Sequence, residues 1–445
     1  MLSSTDRTDS PLAVRYIPLA YDNTDSEGSA LRLVHTLFPE WKASDEPVSF
    51  VKFTDGITNT ASSPSPARPR RDAERQDAQL LKATVRRPGK TQHEADEEAV
   101  LLRAYGKGTD VLIDRERESK AHSLLASRGL APPLLARFEN GLLYRYIEGD
   151  VCSPEDLRRP EIWRAVAKRL GQWHACLPIS AISTVSTSDP PAVVGSPTDP
   201  PSKPAHSRPS PDLWSVMQQW IHSLPDNTEE QKAMKEKLDK ELVTMTARLG
   251  DTPGIGGNDY IFSHCDLLSG NVIIQPASGS TNGTNAAETP EVSFIDYEYA
   301  TPAPAAFDIA NHFAEWAGFS CDHSALPTKS QRADFLAHYL RSYRSHLPPP
   351  PHASHDAHQP NSAASPFEAD LARLTAQVDL FRGVPGFYWG IWALIQETIS
   401  QIDFDYAAYA PLRLGEYWAW KAEDDGSRAE RGREVGVREG RWACA

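Results

Sequence analysis

The sequence predicts an α+β protein of two lobes, a small β-rich N-terminal lobe and a larger, mainly helical C-terminal lobe. Three observations carry that expectation. Short runs rich in β-branched, aromatic and leucine residues gather before residue 148, stretches with apolar residues at helical spacing dominate after it, and low-complexity segments interrupt both. At 445 residues the chain is long enough for two domains or one large two-lobed one.

Residues 1–28 are expected to be a disordered N-terminal segment. The N-terminal lobe is placed at 29–147. It opens with SALRLVHTLFPEW (29–41), whose apolar residues recur at helical spacing. VSFVKFT (48–54), LLKATV (80–85), VLLRAY (100–105) and LLYRYI (142–147) are expected strands. IDRERESKAHSLLASRG (113–129) reads as a helix stopped by Gly129 and by Pro132 and Pro133. The C-terminal lobe is placed at 148–420, with EIWRAVAKRLGQWHACL, AMKEKLDKELVTMTARL and FEADLARLTAQVDLFRG among its helices. Four segments, 62–79, 183–212, 276–291 and 348–366, are rich in Pro, Ser, Gly, Asn or His. Such compositions bury too little apolar area to offset chain entropy, so they are expected to be inserts between core elements. The charged segment 421–445 is expected to be a tail of the same kind.

Bulk properties exclude several classes. With 46 basic and 60 acidic residues the net charge is −14, and no basic stripe with interleaved aromatics suggests a nucleic-acid partner. Five scattered cysteines without CxxC spacing argue for reduced thiols and a cytoplasmic location. MLSSTDRTDS has no secretory h-region, and GVPGFYWGIWALI (383–395) is too short to cross a bilayer. The expectation is a soluble protein without membrane insertion.

The chemistry concentrates in FSHCDLLSGNVII (262–274) and FIDYEY (294–299). Asp266 follows His264 by two residues and Asn271 follows Asp266 by five. A carboxylate to orient an attacking hydroxyl and an amide oxygen to hold a hard cation are what phosphoryl transfer requires. NVII and FIDYEY are expected to pair as a hairpin, bringing Asp296 beside Asn271 as the principal magnesium ligand. His-x-Asp-x4-Asn, an apolar strand and then Ile-Asp is the kinase catalytic-loop arrangement. In the first lobe, FTDGITNT (53–60) offers Gly56, Thr58 and Asn59 as donors over phosphates. Arg103 inside a strand calls for a partner, and Glu118 on the next helix is the candidate. The backbone around Tyr144, Arg145 and Tyr146 is the candidate hinge for adenine.

These segments, together with YGKGTDVLIDRERE (105–118), FDIANHFAEW (307–316) and FYWGIWALIQETISQIDFDYAAYA (387–410), resemble the choline/ethanolamine kinase family. The resemblance covers roughly 30–420 without the inserts. It implies the bilobal protein-kinase-like fold, ATP and Mg2+ as cosubstrate and cofactor, and phosphorylation of ethanolamine as the first step towards phosphatidylethanolamine. It gives Asp266 the role of base, Asn271 and Asp296 the magnesium, and Arg103 a phosphate contact. Glu315, Tyr299, Trp389 and Trp392 become the amino-alcohol pocket. DLLSGN and TDVLIDR favour ethanolamine; choline kinases resemble DxQxGN instead. Two departures from the pattern are Asp55 before Gly56, where glycine is usual, and ATPAPAAFDIA without a Tyr-Asn pair.

Alternatives stay open. Choline is the rival substrate, since an ammonium with N–H donors calls for a carboxylate, a quaternary one for aromatic faces, and this chain offers both. A catalytically silent nucleotide-binding module is the rival of another class, and an aminoglycoside kinase-like activity a more distant one. Arg103 and Glu118 could be a surface ion pair, and Trp389 and Trp392 plain core. His264 is expected to brace the loop, and Asp308, Asn311 and His312 to be structural, an Asp there fixing backbone donors. The oligomeric state is open, a homodimer included.

Overall fold

The structure is a computed structural model, and it describes residues 14–43, 46–53, 79–87, 89–106, 109–182, 184–185, 208–275, 290–347, 365–400 and 402–445. These fall into two units, one of residues 1–109 with 115–148 and one of 110–114 with 149–445.

The first unit is built on a six-stranded sheet. Its elements are β1 (Arg15–Ile17), α1 (Ser26–Leu37), α2 (Pro39–Lys42), β2 (Val48–Phe53), β3 (Gln79–Val85), α3 (Gln92–Glu98), β4 (Val100–Ala104), α4 (Arg115–Ser127), β5 (Leu134–Phe138) and β6 (Gly141–Arg145). The strand order is β1-β5-β6-β4-β3-β2, with β1 parallel to β5 and the other pairs antiparallel. Side chains alternate along a strand. Leu81, Ala83 and Val85 of β3 and Val100, Leu102 and Ala104 of β4 therefore share one face, which buries against Leu33 and Val34 of α1 and Trp41 of α2. The same alternation turns Arg103 away from this core.

Three features differ from the expectation. Residues 1–28 are not disordered throughout: from Arg15 onward the chain is a strand, and Ile17 and Tyr21 enter the core. A three-residue strand pairing with a segment more than a hundred residues away leaves no local pattern. The helix α3 and the strand β5 were also not expected. For α3 the signal is present in the sequence, since Thr91 and Glu94 form a reciprocal capping box.

The second unit begins with β7 (Asp150–Val151), α5 (Pro160–Cys176), β8 (Thr184–Val185) and β9 (Pro209–Ser210). Then come α6 (Leu213–Ser223), α7 (Glu229–Leu249), β10 (Ile261–Ser263), β11 (Val272–Ile274), β12 (Val292–Phe294) and β13 (Thr301–Ala303). It closes with α8 (Ala305–Glu315), α9 (Lys329–His346), α10 (Pro366–Phe381), α11 (Val384–Ile399), α12 (Tyr406–Asp424), α13 (Ser427–Glu430) and α14 (Val437–Ala443). The hairpin β11–β12 adds β7 on its far side, and β10 pairs with β13.

Helices approach closely where glycine removes the side chain. A Cβ on Gly171 of α5 would lie 2.5 Å from the Tyr339 carbonyl of α9, and one on Gly386 of α11 would lie 2.6 Å from the Arg413 carbonyl of α12. Backbone cannot swing aside as a flexible side chain can. Gly171→Ala is therefore expected to destabilise the protein by about 1–3 kcal/mol, as overpacking does, read as a lower melting temperature. An unchanged melting temperature would mean that α5 and α9 slide apart freely.

The segment 421–445 is not a loose tail. Arg438, Glu439 and Trp442 of α14 are buried, Arg382 pairs with Glu439 at 2.8 Å, and the Trp442 indole donates to Asp379 at 2.7 Å. The charges of Arg438 and Glu439 are neutralised within the fold rather than by water. The insert boundaries also shift. Gln79 belongs to β3, Asp212 caps α6, Gln275 donates its N–H to the Glu291 carbonyl, and Ser365 caps α10. Among the described residues no helix is long and apolar enough to cross a membrane, and no disulfide links the five cysteines.

Candidate active site

In the second unit the segment 264–271 connects β10 to β11, and one face of α8 holds its backbone. Asp308 accepts the N–H groups of His264 at 2.9 Å and Cys265 at 2.8 Å. Asn311 donates its side-chain amide to the Cys265 carbonyl at 2.7 Å, and His312 donates Nδ1–H to the Leu267 carbonyl at 2.8 Å. Positions 308, 311 and 312 share a helix face because three and four residues nearly complete a turn. The hold matters because Cys265 has φ 65, a left-handed conformation costly for a side chain with a Cβ.

Asp308 is itself locked. His174 of α5 donates Nε2–H to it at 2.9 Å and accepts from the Tyr339 hydroxyl of α9 at 2.8 Å. Burial alone would raise its pKa, but the hydrogen bond from His174 and the backbone donors hold the carboxyl below its ordinary value. His174 was not foreseen; a lone Trp-His pair in a helix gives no distinguishing signal.

His264 braces the loop, as expected. Its Nε2 lies 3.0 Å from the Ile295 carbonyl, which only accepts, so Nε2 carries the hydrogen and Nδ1 accepts the Asp266 N–H at 3.3 Å. Burial pushes its pKa down, and both ring nitrogens are occupied.

Asp266 is buried, and the Asn271 amide donates to its carbonyl at 2.7 Å and to its carboxylate at 3.1 Å. Burial, then the charges of Asp296, Glu315 and Glu298, raises the Asp266 pKa well above the carboxylate range. That coupling brings together the predicted base, metal and substrate carboxylates, and adds Glu298, which was not foreseen. Asp296 is not inside a strand. β12 ends at Phe294, and Asp296 sits in the following turn with φ 64. The Ile295 N–H donates to the Asn271 carbonyl at 3.0 Å, which ties that turn to the loop. Among the described residues no three His, Cys, Asp or Glu gather as a metal cage. Magnesium needs no such cage, because one or two protein oxygens with phosphates and waters complete its octahedron. Asp296 and the amide oxygen of Asn271, whose nitrogen is committed to Asp266, fit that donor set.

The aromatic residues are buried together. Trp389 donates to Asn311 at 2.9 Å and Trp392 to the Tyr299 hydroxyl at 2.8 Å. Tyr299 meets Trp389 edge-on with centroids 5.8 Å apart. Glu315 is buried beside Arg413 of α12, with a separation of 3.5 Å. That partner went unforeseen, because nothing in sequence links positions 315 and 413.

In the first unit Arg103 and Glu118 meet at 3.6 Å with 15% and 3% of their side chains exposed, so this is not a surface pair. Arg115, also unforeseen, shares Glu118 at 3.1 Å. At the expected hinge, the N–H groups of Arg145 and Tyr146 donate to the carbonyls of Pro133 and Ala99. The Tyr144 backbone lies in register with Leu101 inside the sheet. Gly56, Thr58 and Asn59, with Asp55, lie outside the described residues.

The sequence pattern that defines choline/ethanolamine kinase matches residues 76–418. The chain belongs to the choline/ethanolamine kinase family. It is 31% identical over 418 residues to ethanolamine kinase 2 of Mus musculus, covering 92% of this chain and 86% of that one. Among solved structures, an ethanolamine kinase of Plasmodium vivax superposes with a TM-score of 0.58 at 22% identity, over 88% of this chain and 89% of the other. A choline kinase from Cryptosporidium parvum superposes with a TM-score of 0.56 at 18% identity, over 91% and 97%. At these identities the likeness establishes the fold, the α+β, protein-kinase-like architecture that this family shares.

His312 gives this family member a pH-dependent stability. Burial lowers its pKa to about 4, against about 6.5 in an unfolded chain. The unfolded state therefore binds more protons between those values. The stabilisation is complete above about pH 6.5 and declines as pH falls towards 4, by up to about 3 kcal/mol. The melting temperature is expected to drop from pH 7.5 to 5.5, and less steeply in His312→Gln. Parallel curves would remove His312 as the cause.

Proposed function

We propose that the chain is an ATP- and magnesium-dependent ethanolamine kinase, acting in the cytoplasm and forming phosphoethanolamine on the CDP-ethanolamine route to phosphatidylethanolamine. The observation that supports this most is the position of Asp266, buried with Asn271 hydrogen-bonded to it and with Asp296, Glu298 and Glu315 close enough to raise its pKa. A carboxylate so placed has both a hydroxyl-bearing ammonium compound and a phosphoryl donor as natural neighbours.

In this reading Glu315 attracts the ammonium of the acceptor, while Tyr299, Trp389 and Trp392 exclude water around its carbon chain. The approaching ammonium favours the ionised form of Asp266. Asp266 then accepts the hydroxyl proton as that oxygen attacks the γ-phosphorus in line and ADP leaves. Asn271 and Asp296 would hold magnesium, which supplies positive charge against the phosphate oxygens. Arg103, oriented by Glu118, offers a fixed cation to the nucleotide phosphates.

The test is ATP-dependent phosphate transfer to ethanolamine and choline in parallel, with and without magnesium. Higher kcat/KM on ethanolamine, lost without magnesium, is expected. Higher kcat/KM on choline would overturn the substrate, and ATP binding without transfer to either would overturn the activity.

A further inference from the structure

The peptide plane between Cys265 and Asp266 is held at both ends. Its carbonyl accepts from the side-chain amide of Asn311 at 2.7 Å, and its N–H donates to Nδ1 of His264 at 3.3 Å. Asn311 is held in turn, because the Trp389 indole of α11 donates to its amide oxygen at 2.9 Å. An indole N–H only donates and a peptide carbonyl only accepts, so these two partners fix which way the Asn311 amide faces. Both side chains are buried, Asn311 completely. Bulk water therefore does not replace a lost partner. A turned-over amide would set its oxygen against the Cys265 carbonyl, acceptor against acceptor.

We propose that Trp389 is a positioning residue for Asp266: its indole N–H locks the Asn311 amide, and Asn311 sets the peptide plane that leads into Asp266. The inference rests on the reading of Asp266 as the base, and it goes beyond the reading of Trp389 as a pocket wall. The two roles use different parts of the side chain. A wall needs only an aromatic ring, and Trp389 meets Tyr299 and Trp392 edge-on with centroids 5.8 and 5.4 Å apart. The link to the loop needs the N–H. Cys265 at φ 65 gains nothing from its own backbone preference, so bonds from outside the loop have to keep it there. Trp392, three residues on, donates to the Tyr299 hydroxyl at 2.8 Å, so its N–H serves the aromatic cluster rather than the loop.

Trp389→Phe tests this, because it keeps an aromatic ring and removes the N–H. Its kcat is expected to fall about tenfold, part of the roughly 10²-fold that a misplacement of about 1 Å costs. KM for ethanolamine and for ATP should stay within about threefold, whereas losing a mere wall would raise KM for ethanolamine and leave kcat unchanged. A kcat within about twofold of wild type would overturn the proposal. A double-mutant cycle with Asn311→Ala shows whether Trp389 acts through Asn311. Once Asn311 is gone, adding Trp389→Phe should change kcat by no more than about twofold, and a further loss of about tenfold would overturn the proposal. Where Asn311→Ala does not fold, Asn311→Asp takes its place in the cycle, since it keeps the volume but offers the Cys265 carbonyl no N–H. Wild-type protein that transfers phosphate to neither ethanolamine nor choline rejects the reading on which the inference rests. Active wild type with an unimpaired Trp389→Phe rejects the positioning role alone.

Discussion

Asp266→Ala is expected to lower turnover by about 10²–10⁴-fold, the usual worth of a positioned general base, without loss of folding. The second half follows from the surroundings of this carboxylate. Asp266 is buried, and its neighbours Asp296, Glu315 and Glu298 are all acidic. Hydrogen bonding from Asn271 relieves it in part. Removing it relieves repulsion and desolvation, so the melting temperature should hold or rise, as when active-site strain is released. Asp266→Asn should lose turnover equally, because an amide keeps the shape but takes no proton. Wild-type turnover in either purified variant would show that another group activates the hydroxyl.

Asp308→Ala is expected to cost stability and turnover together. The substitution orphans the N–H groups of His264 and Cys265 and leaves His174 without its carboxylate. Breaking one partner of a buried, charge-assisted network costs about 3–5 kcal/mol. The loop then loses what holds Cys265 at positive φ, so turnover of the folded fraction should fall by about 10²-fold or more, the cost of small misplacements in an active site. Asp308→Asn separates the two effects. It keeps the volume but turns an amide N–H towards backbone donors, so turnover should still fall while less stability is lost. Full turnover in folded Asp308→Asn would mean that the 264–271 loop keeps its shape unaided.

Much of this site is legible because its residues lie close in sequence. Asp266 and Asn271 are separated by one turn, and an apolar strand on each side of the insert brings Asp296 back through a hairpin. Arg103 is legible for another reason: a cation alternating with Leu102 and Ala104 in a core strand needs an acidic partner, and the next helix supplies Glu118. Other features carry no such local mark. Arg15–Ile17 is too short to show a period, and its partner strand is remote. Arg438 and Glu439 look like a solvated tail until Arg382 is seen beside them. Nor does any local pattern show that the N–H groups of Arg145 and Tyr146 donate to the carbonyls of Pro133 and Ala99.

By itself the sequence determined the two-lobed α+β plan, the phosphoryl-transfer loop and its acidic and amide groups, since period, turn chemistry and short spacing are local properties. Only the tertiary structure decided how those groups are held and charged. His174, Asp308 and Tyr339 come from three helices, Glu315 shares α8 with Asp308, and Arg413 comes from a fourth, so their meeting depends on close helix packing at positions such as Gly171 and Gly386. Burial then sets the protonation of each group, because desolvation acts on a charge only once the fold has removed it from water.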